Sequence, residues 1–195
     1  MTGKTHVAIG VAAALTLAHG QPVENQLALV IASSIGSLTP DLDHPKAKLN
    51  QKLLFIKNNL YRALFYLSLG SIFMYLYFTN KTEPFLLLGI VSIIIGISSH
   101  RSFTHSIIGV FAFASIVKLV TLNYGLKSIY SGFLIGYILH LAADFLTPQG
   151  IMLFYPLKIN VSSPVKFKLD KRSENIIFTL LSIYSIGLLL GYLQK

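Results

Sequence analysis

Seven apolar segments, each parted from the next by a short polar or turn-forming stretch, run through this 195-residue sequence. They lie at about Val7–Ala18, Leu27–Leu38, Tyr61–Phe78, Phe85–Ser98, Ile107–Leu122, Ile129–Phe145 and Ile176–Leu193. A helix that crosses a bilayer takes about 20 mostly apolar residues, and fewer where neighbours bury it. The composition points the same way. The chain is 53% hydrophobic with a mean hydropathy of +0.65, and 12% of it is charged, whereas a soluble domain carries about 25%. So few charges cannot coat a soluble globule of this size, and lipid is the expected solvent. The expectation is an all-α fold, a polytopic transmembrane helical bundle of about five to seven helices forming one integral membrane domain over residues 1–195. The first two segments are short, and either cross or make a short hairpin through Gln21-Pro22 and Glu24-Asn25. The first reads as an uncleaved helix and not a signal peptide, because its basic region is thin, its small-x-small pattern is poor and a second apolar run follows at once. The breaks hold Asn80, Pro84, Asn123-Tyr124-Gly125 and Thr147-Pro148-Gln149-Gly150, which is ordinary turn chemistry.

The formal net charge is +9. It is assigned to membrane orientation and not to nucleic acid, since the basic residues sit in the short connections and the chain carries no nucleic-acid module. If all seven segments cross, one side collects Lys4, Lys46, Lys48, Lys52, Lys57, Arg62, Arg101 and the five basic residues from Lys158 to Arg172, twelve in all. The other side holds Lys81, Lys118, Lys127 and Lys195, which is four. An excess of Lys and Arg marks the cytoplasmic side, so the N-terminus is expected there. Lys46–Arg62 reads as a solvated, headgroup-facing stretch and not as a site.

Histidine and aspartate are costly near hydrocarbon and mark function when present. Five of the six histidines and three of the seven acids fall in four short stretches. The first is Thr5-His6. The second is Thr39-Pro40-Asp41-Leu42-Asp43-His44-Pro45, where flanking prolines are expected to hold an extended turn. The third is His100-Arg101-Ser102-Phe103-Thr104-His105-Ser106, in which Ser102 or Thr104 is expected to cap the next helix. The fourth is His140-Leu141-Ala142-Ala143-Asp144, whose i,i+4 spacing puts both polar side chains on one helical face. Alternation of the spans sends all four to the side that Lys and Arg mark as cytoplasmic. His19 falls on the far side, and Glu24, Glu83, Asp170 and Glu174 are left to loops.

Cysteine is absent, so any metal must be held by imidazole, carboxylate or carbonyl oxygen. The candidate ligands are His6, Asp41, Asp43, His44, His100, His105, His140 and Asp144. Such a set suits zinc, with manganese or iron next. Eight groups serve one ion generously or two ions sharing a carboxylate. A bound ion lowers the pKa of its water to about 7 and makes hydrolysis the natural chemistry. Asp41, Asp43 or Asp144 can double as general base. Arg101 offers a fixed positive fork for a phosphate or carboxylate. The chain has no H-E-x-x-H, no G-x-S-x-G elbow and no phosphate-binding glycine loop. It also lacks the basic first motif and the Pro-Ser-Gly-His of histidine-nucleophile lipid phosphatases. Two other classes remain: a metal-ion or small-solute transporter, and a non-catalytic scaffold whose polar residues only join helices.

The ordered set Thr5-His6…Gly10, Pro40-Asp41-x-Asp43-His44, His100-Arg101-x-x-Thr104-His105-Ser106 and His140-x-x-x-Asp144-x-x-Thr147-x-x-Gly150, then Pro156, resembles the membrane-bound metal-dependent hydrolases, also described as YdjM-like inner-membrane hydrolases. The resemblance covers about residues 1–157; the loop and last helix of 158–195 carry no motif. It implies a multi-pass protein of the bacterial inner (plasma) membrane with a metal-dependent hydrolase activity. Some members are tied to the DNA-damage response through LexA. A lipid or lipid-linked phosphoester would suit a site at headgroup depth, with the lipid bilayer as the standing partner.

Overall fold

In the computed structural model, which describes residues 1–47 and 49–193, the regular elements of the described residues are helical, apart from one isolated bridge between Ile151 and Val161 within a long irregular connection over residues 146–170. Lys48 and Lys195, both counted in the charge comparison, lie outside the described residues. The helices are α1 (Gly3–Leu17), α2 (Val23–Leu38), the single turn α3 (Asn50–Leu53), α4 (Asn59–Asn80), α5 (Glu83–Ile97), α6 (Ile107–Thr121), α7 (Lys127–Phe145) and α8 (Lys171–Leu193). Seven of them coincide with the seven apolar segments, and a helical bundle is what they form. Helices α4, α7 and α8 are long and apolar enough to cross a membrane. At 1.5 Å per residue, the 15 or 16 residues of α1, α2, α5 and α6 span about 22–24 Å, short of a hydrocarbon core of about 30 Å.

Helix α2 is seated between α1 and α7, and α4 pairs with α5. The α2–α7 approach is close because small residues line it. A side chain added at Gly36 would strike the backbone of Phe133, and one at Gly132 or Gly136 the backbone of Leu29 or Ser33. In lipid, helices gain little from the hydrophobic effect, so this kind of backbone proximity is what holds them together. Gly136→Val is therefore expected to destabilise the detergent-solubilised protein by at least about 1–3 kcal/mol. Gly191→Val, where an added Cβ meets nothing within 4 Å, is expected to be neutral. Thermal unfolding of the two variants side by side checks this.

Helix α8 runs parallel to α1. Thr2 N donates to Glu174 at one end, and Thr16 and Tyr184 share a hydrogen bond further along. His19 lies against the Tyr192 ring at the opposite end from the four polar stretches. Three expectations need correction. Pro40–Asp43 forms a 3-10 turn and not an extended one, because Pro40 occupies the first position, where its fixed φ favours a helical start. Ser106, not Ser102 or Thr104, caps α6, accepting from Gly109 N at 3.1 Å. Glu24, Glu83 and Glu174 sit in the first turns of α2, α5 and α8, where the helix dipole favours an anion, and Asp170 accepts from Ser173 N at the start of α8.

Candidate metal centre

The start of α1, the Pro40–Asp43 turn, the Phe103–His105 turn and the end of α7 meet at one end of the bundle. His6, Asp43, His105, His140 and Asp144 are all buried there, while the Asp41 side chain keeps 20% of its surface exposed. The i,i+4 pair of α7 points inward as its spacing requires.

Hydrogen bonds fix how the imidazoles face. His140 Nδ1 lies 2.7 Å from the carbonyl oxygen of Ser37 on α2. A carbonyl only accepts, so Nδ1 carries the hydrogen and Nε2 presents a lone pair. Thr104 Oγ1 donates to Asp43 Oδ2 at 2.8 Å and so meets His105 Nδ1, 3.1 Å away, as an acceptor. His105 therefore also turns an Nε2 lone pair inward. The two Nε2 atoms stand 3.3 Å apart. Asp41 Oδ1 lies 3.8 Å from that of His140 and 4.0 Å from that of His105. Asp144 Oδ2 lies 3.9 Å and 3.7 Å from the same pair.

The Nε2 atoms of His105 and His140 and a carboxylate oxygen of Asp41 thus make a group of three candidate ligand atoms within 4.8 Å of one another, able to hold a metal ion, and Asp144 Oδ2 approaches the same nitrogens from beside the Arg101 guanidinium. A tetrahedral zinc with bonds of about 2.0–2.1 Å sets its ligand atoms about 3.3–3.4 Å apart, close to the observed spacing of the nitrogens and slightly inside that of the carboxylates. His6, His140 and Asp144 make an overlapping group whose ligand atoms lie within 4.8 Å of one another. His6 stacks on His140 at 3.8 Å, holds Nε2 3.3 Å from Asp144 Oδ1, and leaves a buried Nδ1 without a partner.

Asp43 is oriented differently. It is fully buried and accepts from His100 Nδ1 on one oxygen, and from the Arg101 amide and Thr104 on the other, each at 2.8 Å. Burial alone would raise this carboxyl; the hydrogen bonds and charges of His100 and His105 outweigh it and hold it well below the usual carboxylate range. Burial likewise lowers His105, but its bond to Asp43 and the charges of Asp43, Asp41 and Asp144 leave it above its ordinary value. His44 lies 4.5 Å from the His100 ring, outside the central group, and is lowered by burial and then by His100.

Arg101 has φ 63°, a left-handed conformation that costs a residue with a side chain about 1–3 kcal/mol. In it the amide faces Asp43 while the guanidinium turns back to Asp144 Oδ2 at 3.1 Å and the Gly150 carbonyl at 3.2 Å.

The stretch read as headgroup-facing contributes two supports to the site, Asn50 and Arg62. Buried Arg62 donates to the carbonyls of Asp43 and Ser98 and so ties the second motif to the end of α5, just ahead of the third. Asn50 donates to Leu42 O and His44 O at 2.8 Å and accepts from Tyr66. The available signal was Arg62 and Tyr66, one turn apart at i,i+4 in an otherwise apolar helix.

Across residues 1–194 the sequence matches the YdjM inner membrane protein family. The chain belongs to that family. The match runs past residue 157 and takes in α8, whose Glu174 meets Thr2 beside the site. Over 186 residues the chain is 27% identical to the uncharacterized protein YvsG of Bacillus subtilis, covering 95% of this chain and 92% of that one. Over 172 residues it is 27% identical to inner membrane protein YdjM of Escherichia coli, covering 85% and 70%. The same protein of Shigella flexneri matches to the same extent. No solved structure matches. The chain is thus a membrane protein of the YdjM family with a buried His/Asp cluster able to hold a metal ion.

Proposed function

We propose that this YdjM-family protein is a membrane-embedded, metal-dependent hydrolase of a lipid or lipid-linked phosphoester, with its N-terminus and its site at the cytoplasmic face. The observation that carries the reading is the buried cluster of Asp41, His105 and His140, whose ligand atoms lie within 4.8 Å of one another, with Asp144 beside it. The orientation rests on the twelve-to-four split of basic residues. His140 commits Nδ1 to Ser37 and has one nitrogen to give, so a single ion is favoured, zinc before manganese or iron. The ion would supply Lewis acidity, polarising the bond to be cleaved and making water a better nucleophile.

The chain's own groups do the rest. Ser37 directly, and Asp43 through the Thr104 hydroxyl, lock the His140 and His105 rings in the tautomer that points Nε2 inward, as outer-shell partners do at metal sites. In this reading Asp43 and His100 orient and do not ligate, because both Asp43 oxygens are already taken. His6 backs Asp144. Asp41, the carboxylate open to solvent, is placed to accept a proton from water. Arg101, held against Asp144, offers its remaining N–H groups to a phosphoryl oxygen.

The test uses the full chain in lipid nanodiscs, zinc-loaded, with bis(p-nitrophenyl) phosphate as the probe. Arg101→Met is expected to lower kcat about 10²–10³-fold, the usual loss on removing one donor that stabilises transition-state charge, with the metal retained. Equal turnover by the loaded, the chelator-stripped and the Arg101→Met proteins would sink the hydrolase reading.

A further inference from the structure

Two adjoining cavities open beside Asp144, and the hydrolase reading does not use them. The first, about 290 Å³, is lined by Met1, Ile9 of α1, Ala143 of α7, Leu146, Thr147, Phe167 and Leu169 of the 146–170 connection, and Ile177 of α8. All of these side chains but Thr147 are apolar. The second, about 600 Å³, shares Phe167, Leu169 and Thr147 with it, and adds Gln149, Lys168, Lys171 and Glu174. Apolar slot and polar chamber therefore adjoin across shared walls, with a change of chemistry from one to the other. The connection that roofs it is pinned by main-chain bonds from Ser163 N to Phe145 O and from Phe167 N to Leu146 O, both 2.9 Å.

The charges of the chamber are unevenly committed. Glu174 accepts from Thr2 N, and Asp170 accepts from Ser173 N, each at 2.9 Å. Lys168 and Lys171 are exposed, and Arg172 stands next to Lys171 at the head of α8. The carboxylates serve backbone amides, and the cations face outward. Ala143 of α7 and Thr147 just past its end flank Asp144, and Thr147 Oγ1 donates to the Asp144 carbonyl at 2.7 Å. The boundary between slot and chamber thus adjoins the proposed metal centre.

We propose that this space binds one anionic phospholipid, an acyl chain in the slot between α1, α7 and α8 and the phosphate headgroup in the chamber beneath Lys168 and Lys171. A lone phosphate would leave the slot without an occupant, and a neutral amphiphile would leave the lysines unmatched. The inference rests on the hydrolase reading only for what the headgroup meets; the slot stands without it.

The experiment is photo-crosslinking of the full chain in phosphatidylcholine nanodiscs, with a trace of phosphatidic acid bearing a diazirine on its acyl chain. The label is expected on Leu146, Phe167, Leu169 and Ile177. Unlabelled phosphatidic acid should displace it, and neither added phosphatidylcholine nor inorganic phosphate should. Ile177→Trp, or Leu169→Trp where the first does not fold, fills the slot. Either is expected to cut labelling at least about tenfold, as when a pair of chain methylenes can no longer be buried. Metal content is measured on the same samples. Label confined to outward residues of α8 such as Ile183 and Leu190, or displaced equally by phosphatidylcholine or by inorganic phosphate, would overturn the proposal whatever the metal content. Absence of metal with the slot labelled would instead count against the hydrolase reading alone.

Discussion

Replacing His140 with alanine is expected to strip the divalent metal from the purified protein. His140 is the imidazole shared by both candidate ligand groups, one with His6 and Asp144, the other with Asp41 and His105. Its ring is fixed by the Ser37 carbonyl, so no other nitrogen of the residue can substitute. Loss of an outer-shell partner typically costs about 10–100-fold in metal affinity; loss of a ligand at the centre should exceed that. Competition against a chromophoric chelator measures it. An affinity within tenfold of wild type would remove His140 from the ligand set.

Asp43→Ala should act more mildly on the metal and more severely on the fold. Three donors, His100 Nδ1, the Arg101 amide and the Thr104 hydroxyl, converge on this buried carboxylate. Each buried donor left without a partner costs about 1–3 kcal/mol. Thermal unfolding should therefore shift strongly downward. Metal affinity should fall about 10–100-fold, because His105 loses the group that orients it. Asp43→Asn keeps an oxygen for the Arg101 amide and Thr104 and turns an NH₂ towards His100, so it should lie between the wild type and the alanine variant on both readouts. If Asp43→Ala instead matched His140→Ala in its loss of metal, Asp43 would be a ligand and the division of labour drawn above would be wrong.

Much of this was legible in the sequence, and the reasons differ from place to place. The seven apolar segments became seven helices because a run of that length in lipid satisfies its backbone only by coiling. His6, Asp41, His105, His140 and Asp144 were brought together by alternation of the segment ends, which needs no knowledge of packing. What escaped depended on contacts across the chain. Asp43 and Asp41 are indistinguishable as letters two apart in one turn, and only three donors arriving from residues 100–104 separate them. Arg62 looked like one more basic residue in a basic connection. Its burial goes with two carbonyls it joins, those of Asp43 in the second motif and Ser98 at the end of α5. Ser106 displaced Ser102 and Thr104 as the cap because Thr104 is spent on Asp43. The tail carried no recognisable motif, yet its α8 and the 163–170 connection form one wall of the space beside Asp144.

The central claim is that the buried His/Asp cluster centred on His140 holds a metal ion, and elemental analysis of the full chain purified without added metal tests it most directly. One equivalent of a divalent transition ion in the wild-type protein, falling to background in a folded His140→Ala variant, is the result predicted here. A folded wild-type protein carrying no stoichiometric transition metal, and taking none up from buffered zinc, manganese or iron, would contradict it.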